Sequence, residues 1–127
     1  MGLCLFPGDD DTTSPDICWS YTGFHEFRQR LARAEGFVLS EMHGFDGDER
    51  PWSDVTTTLE PFLNHSDCDG ELSATGCAAI LPRLEEIHLQ WQNEAGEPPL
   101  RRHIADVRQL LVVLRFCVEK DVELVFG

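Results

Sequence analysis

The chain has 127 residues, of which 42% are hydrophobic, and its ten Lys plus Arg against 23 Asp plus Glu give a formal net charge of −13. That length allows one domain with a core between two packed layers and is too short for a second. A charge imbalance of this size repels nucleic-acid phosphates and anionic membrane surfaces, which leaves a basic partner or a cation as the natural complement.

In chain order, Gly2 to Phe6 reads as a strand ended by Pro7-Gly8, and Ile17 to Tyr21 as a second strand after the polar loop Asp9 to Asp16. Thr22 is a suitable helix cap. Phe24, Phe27, Leu31 and Ala34 recur at helical spacing before Gly36, which predicts a helix over 23–35. Phe37 to Met42 fits a third strand, and the Gly-, Pro- and acid-rich run His43 to Asp54 a solvated loop. A short helix is expected from Val55 to Leu63, bent or shortened by Pro61.

Ser73 can cap the next helix, whose apolar positions Cys77, Ile80, Leu81, Leu84, Ile87 and Trp91 keep one phase across Pro82. One kinked helix over 74–93 is therefore expected rather than two. Gly96 to Pro99 breaks the chain. Leu100, Ile104, Val107, Leu110, Leu111, Leu114 and Val118 then mark the strongest helix, and Val122 to Phe126 a terminal strand. Strands and helices recur without strict alternation, which predicts an α+β fold: a small three- or four-stranded sheet with three to four packed helices in one domain, 1–127.

The N-terminus has no basic leader, and the longest apolar run, Leu110 to Leu114, is far short of a membrane span. Five cysteines without a CxxC pair fit reduced thiols and a cytoplasmic location. Cys4, Cys18, Cys77 and Cys117 fall in apolar patterns and read as small core residues. His25, His88 and His103 fall on or beside polar helix faces and read as solvated.

The densest chemistry is His65-Ser66-Asp67-Cys68-Asp69-Gly70-Glu71-Leu72. Asp67, Asp69 and Gly70 match the middle of a calcium loop, in which alternate carboxylates face one cation and glycine permits the sharp turn. The ends do not match: His65 stands where a hard carboxylate oxygen belongs, and Gly76 where a bidentate glutamate should close the cage. Any metal site on His65, Asp67, Asp69 and Glu71 would thus bind calcium weakly, with no other cofactor implied. Zinc is a looser option through His65 and Cys68, but the next thiol, Cys77, sits at no recognised spacing. Cys68 is a poor nucleophile, because Asp67 and Asp69 disfavour its thiolate. The plain alternative is an Asx-type turn whose carboxylates accept backbone N–H bonds near the start of helix 74–93.

Elsewhere the chain carries no phosphate loop, dinucleotide fingerprint, nucleophile elbow or His-Glu-x-x-His pattern, which favours binding over catalysis. Trp52 in the loop Asp46 to Asp54 either folds back onto the core or stands out as an aromatic anchor for a basic partner.

The run Asn64 to Leu72, the leading Met-Gly-Leu strand, the Trp-Ser-Tyr-x-x-Phe segment at Trp19 to Phe24 and the final helix-then-strand together resemble a group of small bacterial proteins classed as immunity protein 70, predicted neighbours of polymorphic toxins. The resemblance implies a cognate toxin bound and silenced, with no catalytic residues. The acidic loops 9–16, 43–54 and 65–72 are the candidate contact surface, with Asp46, Asp48, Glu49, Trp52, Asp67, Asp69 and Glu71 as partner-binding residues. The alternative is a small hydrolase or metal-binding protein built on His65, Asp67, Asp69 and Glu71.

Overall fold

The structure is a computed structural model, and it describes residues 2–43, 45, 49–65, 69–94 and 98–127. The fold is α+β. Strands β1 (Gly2–Pro7), β2 (Ile17–Ser20), β3 (Glu71–Leu72) and β4 (Leu124–Phe126) form one sheet in the order β2-β1-β4-β3, every neighbour antiparallel. Helices α1 (Tyr21–Ala34), α2 (Glu60–Leu63), α3 (Ala74–Asn93) and α4 (Pro98–Lys120) complete it. Among the described residues no helix is long and apolar enough to cross a membrane.

Strand alternation decides which residues enter the core. Leu3, Leu5 and Pro7 of β1, Ile17 and Trp19 of β2, and Leu124 and Phe126 of β4 point inward and are buried. Against them lie Phe24, Phe27 and Leu31 of α1. Trp19 stacks on Phe27 with ring centroids 5.2 Å apart and lies 5.1 Å from Phe24. The long helices α3 and α4 pair through Ile80, Leu84, Ile87 and Trp91 on one side and Val107, Leu110, Leu111 and Leu114 on the other, all buried.

Several boundaries differ from expectation for local reasons. Helix α1 starts two residues before the expected position 23, because Ser20 rather than Thr22 is the cap: its Oγ accepts the Gly23 N–H at 3.0 Å. Phe37 to Met42 is not a strand. Phe37, Leu39 and Met42 reach the core through a 3-10 turn, Leu39–Glu41, closed by Met42 N–H to Leu39 C=O, while Val38 stays exposed and only Met42 bridges to Arg50. The helix expected over 55–63 shrinks to Glu60–Leu63, where Pro61 sits in the first turn and its missing N–H leaves nothing unsatisfied. Pro82 lies inside an unbroken α3, as its constant apolar phase requires. Helix α4 begins at Pro98, and the terminal strand is shortened by Asp121, whose φ of 56° turns the chain out of the helix. The third strand is instead Glu71–Leu72.

Two chemical expectations are corrected. Cys4 and Cys18 are not reduced core thiols: they form a disulfide on the outward face of the sheet. The register sets Cys4 directly opposite Cys18. The Cys4 N–H and C=O both bond to Gly127 on the other side, so Cys4 faces β2 at a non-hydrogen-bonded position, where paired Cα atoms come closest, here 4.0 Å. With that bond present, cysteine usage no longer argues for a reducing compartment. Cys77 and Cys117 are buried free thiols, as expected; the hydrogen bond with Cys77, and then burial, push the Cys117 thiol up.

His103 is buried rather than solvated, stacked on Phe27 with centroids 6.1 Å apart and tilted against Trp91 at 6.2 Å. Desolvation holds its pKa below 6.5, with the Arg30 and Arg102 guanidiniums adding to the shift and Asp106 and Glu26 opposing it. Desolvation, then Arg108 and Arg115, lower His88 as well.

Reducing the disulfide, or replacing both cysteines by Ser, should lower the unfolding free energy by about 3 kcal/mol, the chain-entropy scale for a loop of this length. Urea unfolding with and without reductant measures it, and an unchanged midpoint would refute it. A neutral buried His103 predicts a pH effect of definite sign. Its contribution is fully present above the unfolded value of 6.5 and is lost as pH falls toward the lowered folded value, because the unfolded chain then binds the extra proton. The urea midpoint should therefore fall on acidification below 6.5, and less steeply in His103→Phe.

Candidate functional site

Residues 65–72 are organised by packing. The His65 ring lies flat on Phe126 of β4, with centroids 3.8 Å apart and 18° between planes, and its Nε2 is 3.2 Å from the Glu71 carbonyl oxygen. Beneath the loop, Arg28 of α1 is buried. Its Nη1 donates to the carbonyls of His65 at 2.8 Å and Leu63 at 3.3 Å, and its guanidinium stands 4.5 Å from the Phe24 ring centroid and 5.2 Å from that of Phe45. Gly70 has φ +101°, and its carbonyl accepts the Phe126 N–H. The loop is thus fastened to the core by Arg28 and to the sheet by Phe126, a role for His65 that the sequence reading missed.

The proposed ligands fall in different surroundings where they are described. Glu71 opens β3 with its side chain exposed, Asp69 is exposed, and His65 is engaged with Phe126; Asp67 and Cys68 lie outside the described residues. Among the described residues no three His, Cys, Asp or Glu side chains converge to hold a metal ion. Ser73 caps α3 as expected, its Oγ accepting the Gly76 N–H at 3.1 Å.

In the 43–54 segment, Trp52 is folded back and half-buried rather than standing out as an anchor. Its Nε1–H donates to the His43 carbonyl at 3.2 Å, and its ring meets Phe37 and Phe45 edge-on at 5.8 and 6.2 Å. The buried aromatic surface of Phe37 draws it in. Glu49 is exposed with φ 53°, 3.9 Å from His43 Nδ1. Asp46 and Asp48 lie outside the described residues.

The third acidic loop, 9–16, borders a cleft. Core-facing strand residues are covered by helices, whereas the outward ones, Gly2, Cys4, Phe6, Cys18, Ser20 and Val125, stay partly or fully exposed. At the end of this face opens a cleft of about 700 Å³, with Phe6, Pro7 and Val125 as apolar lining and Asp10, Asp11, Asp16 and Glu123 as acids. The loop is ordered internally: Asp9 accepts from Asp11 N–H at 3.1 Å and Ser14 Oγ at 2.7 Å, and Asp11 accepts from Thr13 N–H at 2.9 Å and Thr13 Oγ1 at 2.7 Å. The Thr13 side-chain and backbone bonds hold the Asp11 carboxyl below its ordinary range, so it stays ionised. Gln109 of α4 donates to the Asp16 carbonyl at 2.9 Å and ties down the far end. Opposite, the Glu123 carboxylate lies over Gly8, where an added Cβ would come within 2.5 Å of Oε1.

These charges are not neutralised. Among the described residues, the ion pairs involve Glu35, Glu49, Asp54, Glu85, Glu86 and Asp106, and none includes Asp9, Asp10, Asp11, Asp16 or Glu123. The 9–16 loop was legible in the sequence as acidic surface. Phe6, Val125 and Glu123 were not, since they join it only through pairing of the chain's two ends; the outward phase of Phe6 in β1 was the available signal.

Compared with family models, curated proteins and solved structures, the chain finds no match.

If Gly70 serves the turn, Gly70→Ala should cost about 1–3 kcal/mol, because φ is left-handed there and a Cβ would lie 3.0 Å from His65 Cε1. The loss should appear in metal-free buffer. Denaturant unfolding of the variant tests it, and a parent-like midpoint would refute the structural role.

Proposed function

We propose that this protein is an acidic protein-binding module, and specifically an immunity-like protein that binds and neutralises a cognate toxin through a basic surface. The observation that supports this best is the set Asp10, Asp11, Asp16 and Glu123, outside every ion pair among the described residues, around an uncovered, partly apolar sheet face. Carboxylates left without cations repel one another and destabilise the fold slightly, so an arrangement that concentrates them beside exposed Phe6 is better suited to an incoming cationic surface than to stability. Toxins acting on nucleic acid present such basic sites, and an acidic surface can cover them.

In this proposal the protein acts without a cofactor. The enzyme alternative needs His65, Asp67, Asp69 and Glu71 around one open pocket, whereas the His65 ring is committed to Phe126. Weak calcium binding at 65–72 is the other use of those acids, and a calcium-dependent rise in melting temperature would reveal it.

Pull-down with the product of the adjacent gene, and rescue of cells expressing it, test the proposal. Capture in both directions and rescue are expected. The association rate should fall at least about tenfold between low salt and about 0.5 M salt, as steering by the −13 charge is screened. Absence of both binding and rescue would remove the immunity reading.

A further inference from the structure

We propose that the cleft between the 9–16 loop and β4 seats a short, extended, arginine-bearing segment of the protein partner, with Phe6 as the platform for a guanidinium and Glu123 and Asp10 as its anionic contacts. This rests on the protein-binding reading above and deepens it by naming the chemistry recognised.

Three observations on the surface select this occupant. The cleft, about 700 Å³, is open to solvent and large enough for several side chains. Its lining is mixed: Phe6 is 38% exposed, a large ring left in water on a face that no helix covers, and Val125 lies beside it, while the acids stand around them. Arginine matches that mixture. Its stem packs on apolar surface, its planar guanidinium stacks on an aromatic face, and its fork pairs with carboxylates in a fixed geometry; the more strongly hydrated ammonium of lysine does this less well.

The arrangement of charge argues against a single metal ion. Asp9 and Asp11 already accept N–H and O–H bonds within their own loop, and among the described residues no three ligating side chains converge. Carboxylates spread along a cleft are matched by charges spread along a chain. The walls are also pre-organised: the Asx turns hold the loop, the Asp16 carbonyl is tied to Gln109, and the Gly8 N–H donates to the Glu123 carbonyl at 2.9 Å. Little ordering is left to oppose binding.

The test is an NMR titration of the intact protein with a synthetic peptide of about eight residues alternating Arg and Ser, beside arms with the Lys counterpart, spermidine and Ca2+. Amide shifts at Gly8, Thr12, Glu123 and Val125 are expected, with the Arg peptide binding more tightly than the Lys peptide. Glu123→Gln, and Asp10→Asn at a φ of 58° that Asn tolerates, should each weaken the Arg peptide about five- to tenfold. Phe6→Leu should weaken the Arg peptide about two- to fivefold while leaving the Lys peptide nearly unchanged. Glu26→Gln, an equal charge change on exposed α1 surface, should alter affinity less than about twofold.

Shifts centred on 43–54 or 65–72 would overturn the proposal, as would a Glu26→Gln effect equal to that of the cleft variants. Tighter binding of Ca2+ or spermidine than of the peptide would also overturn it, making the cleft a small-cation site. Failure here and failure of the function proposal are separable. Peptide binding at the cleft without capture of the adjacent gene's product leaves the cleft and removes the toxin, whereas capture unaffected by Glu123→Gln and Asp10→Asn leaves the toxin and removes the cleft.

Discussion

The pairing of β1 with β4, the first strand with the last, is the constraint on which the rest depends. Leu5 opposite Phe126 and Pro7 opposite Leu124 make the two chain ends the central strands of the sheet. Such pairing joins residues more than a hundred positions apart, so it forms only when the intervening helices bury enough apolar surface to offset the entropy of closing that loop. Once formed, it produces both regions with chemical content. On one side it aligns Phe126 with His65 and the Gly70 carbonyl; on the other it sets Glu123 and Val125 against Phe6 and Gly8.

The same pairing explains the disulfide. Cys4 bonds through its backbone to Gly127, which fixes its non-hydrogen-bonded position toward Cys18. The two cysteines lie on the outer face, and the bond between them closes the β1–β2 connection that carries the 9–16 loop. A covalent tie across strands that flank an ordered acidic loop restricts how far that loop can open, which links the staple of the fold to the shape of the cleft.

Charge is partitioned by position. Arg28, one of only ten basic residues, is buried, where carbonyl acceptors and two aromatic faces replace its hydration. Arg83 joins α3 to the end of α1 through Glu35 at 2.9 Å, and Glu35 also accepts from Thr57. These two arginines thus reinforce the helical layer and its loops, while the acids at the open end of the sheet keep their charge exposed. An acidic composition alone would permit a uniformly negative surface; here Asp10, Asp11, Asp16 and Glu123 gather beside an exposed ring.

What the sequence by itself determined was local. Helical spacing in 24–34, 77–91 and 100–118, alternation in β1, β2 and β4, and capping by Ser73 each depend on residues within one or two turns of each other, and all are found in the fold. So is the acidity of the 9–16 loop. Tertiary structure decided whatever depends on which distant segments meet. The Phe37–Met42 run met no strand partner and became a turn, and Glu71–Leu72 became a strand because β4 offered an edge. Cys4 and Cys18 became a disulfide through register, and His103 became a core residue because α4 laid it on Phe27 and Trp91. The 65–72 motif, read as chemistry, is held by a stacked histidine and a buried arginine from another helix, and the cleft exists only where the chain's ends lie side by side. Periodicity records which face of an element is apolar, but it carries no record of what that face will touch.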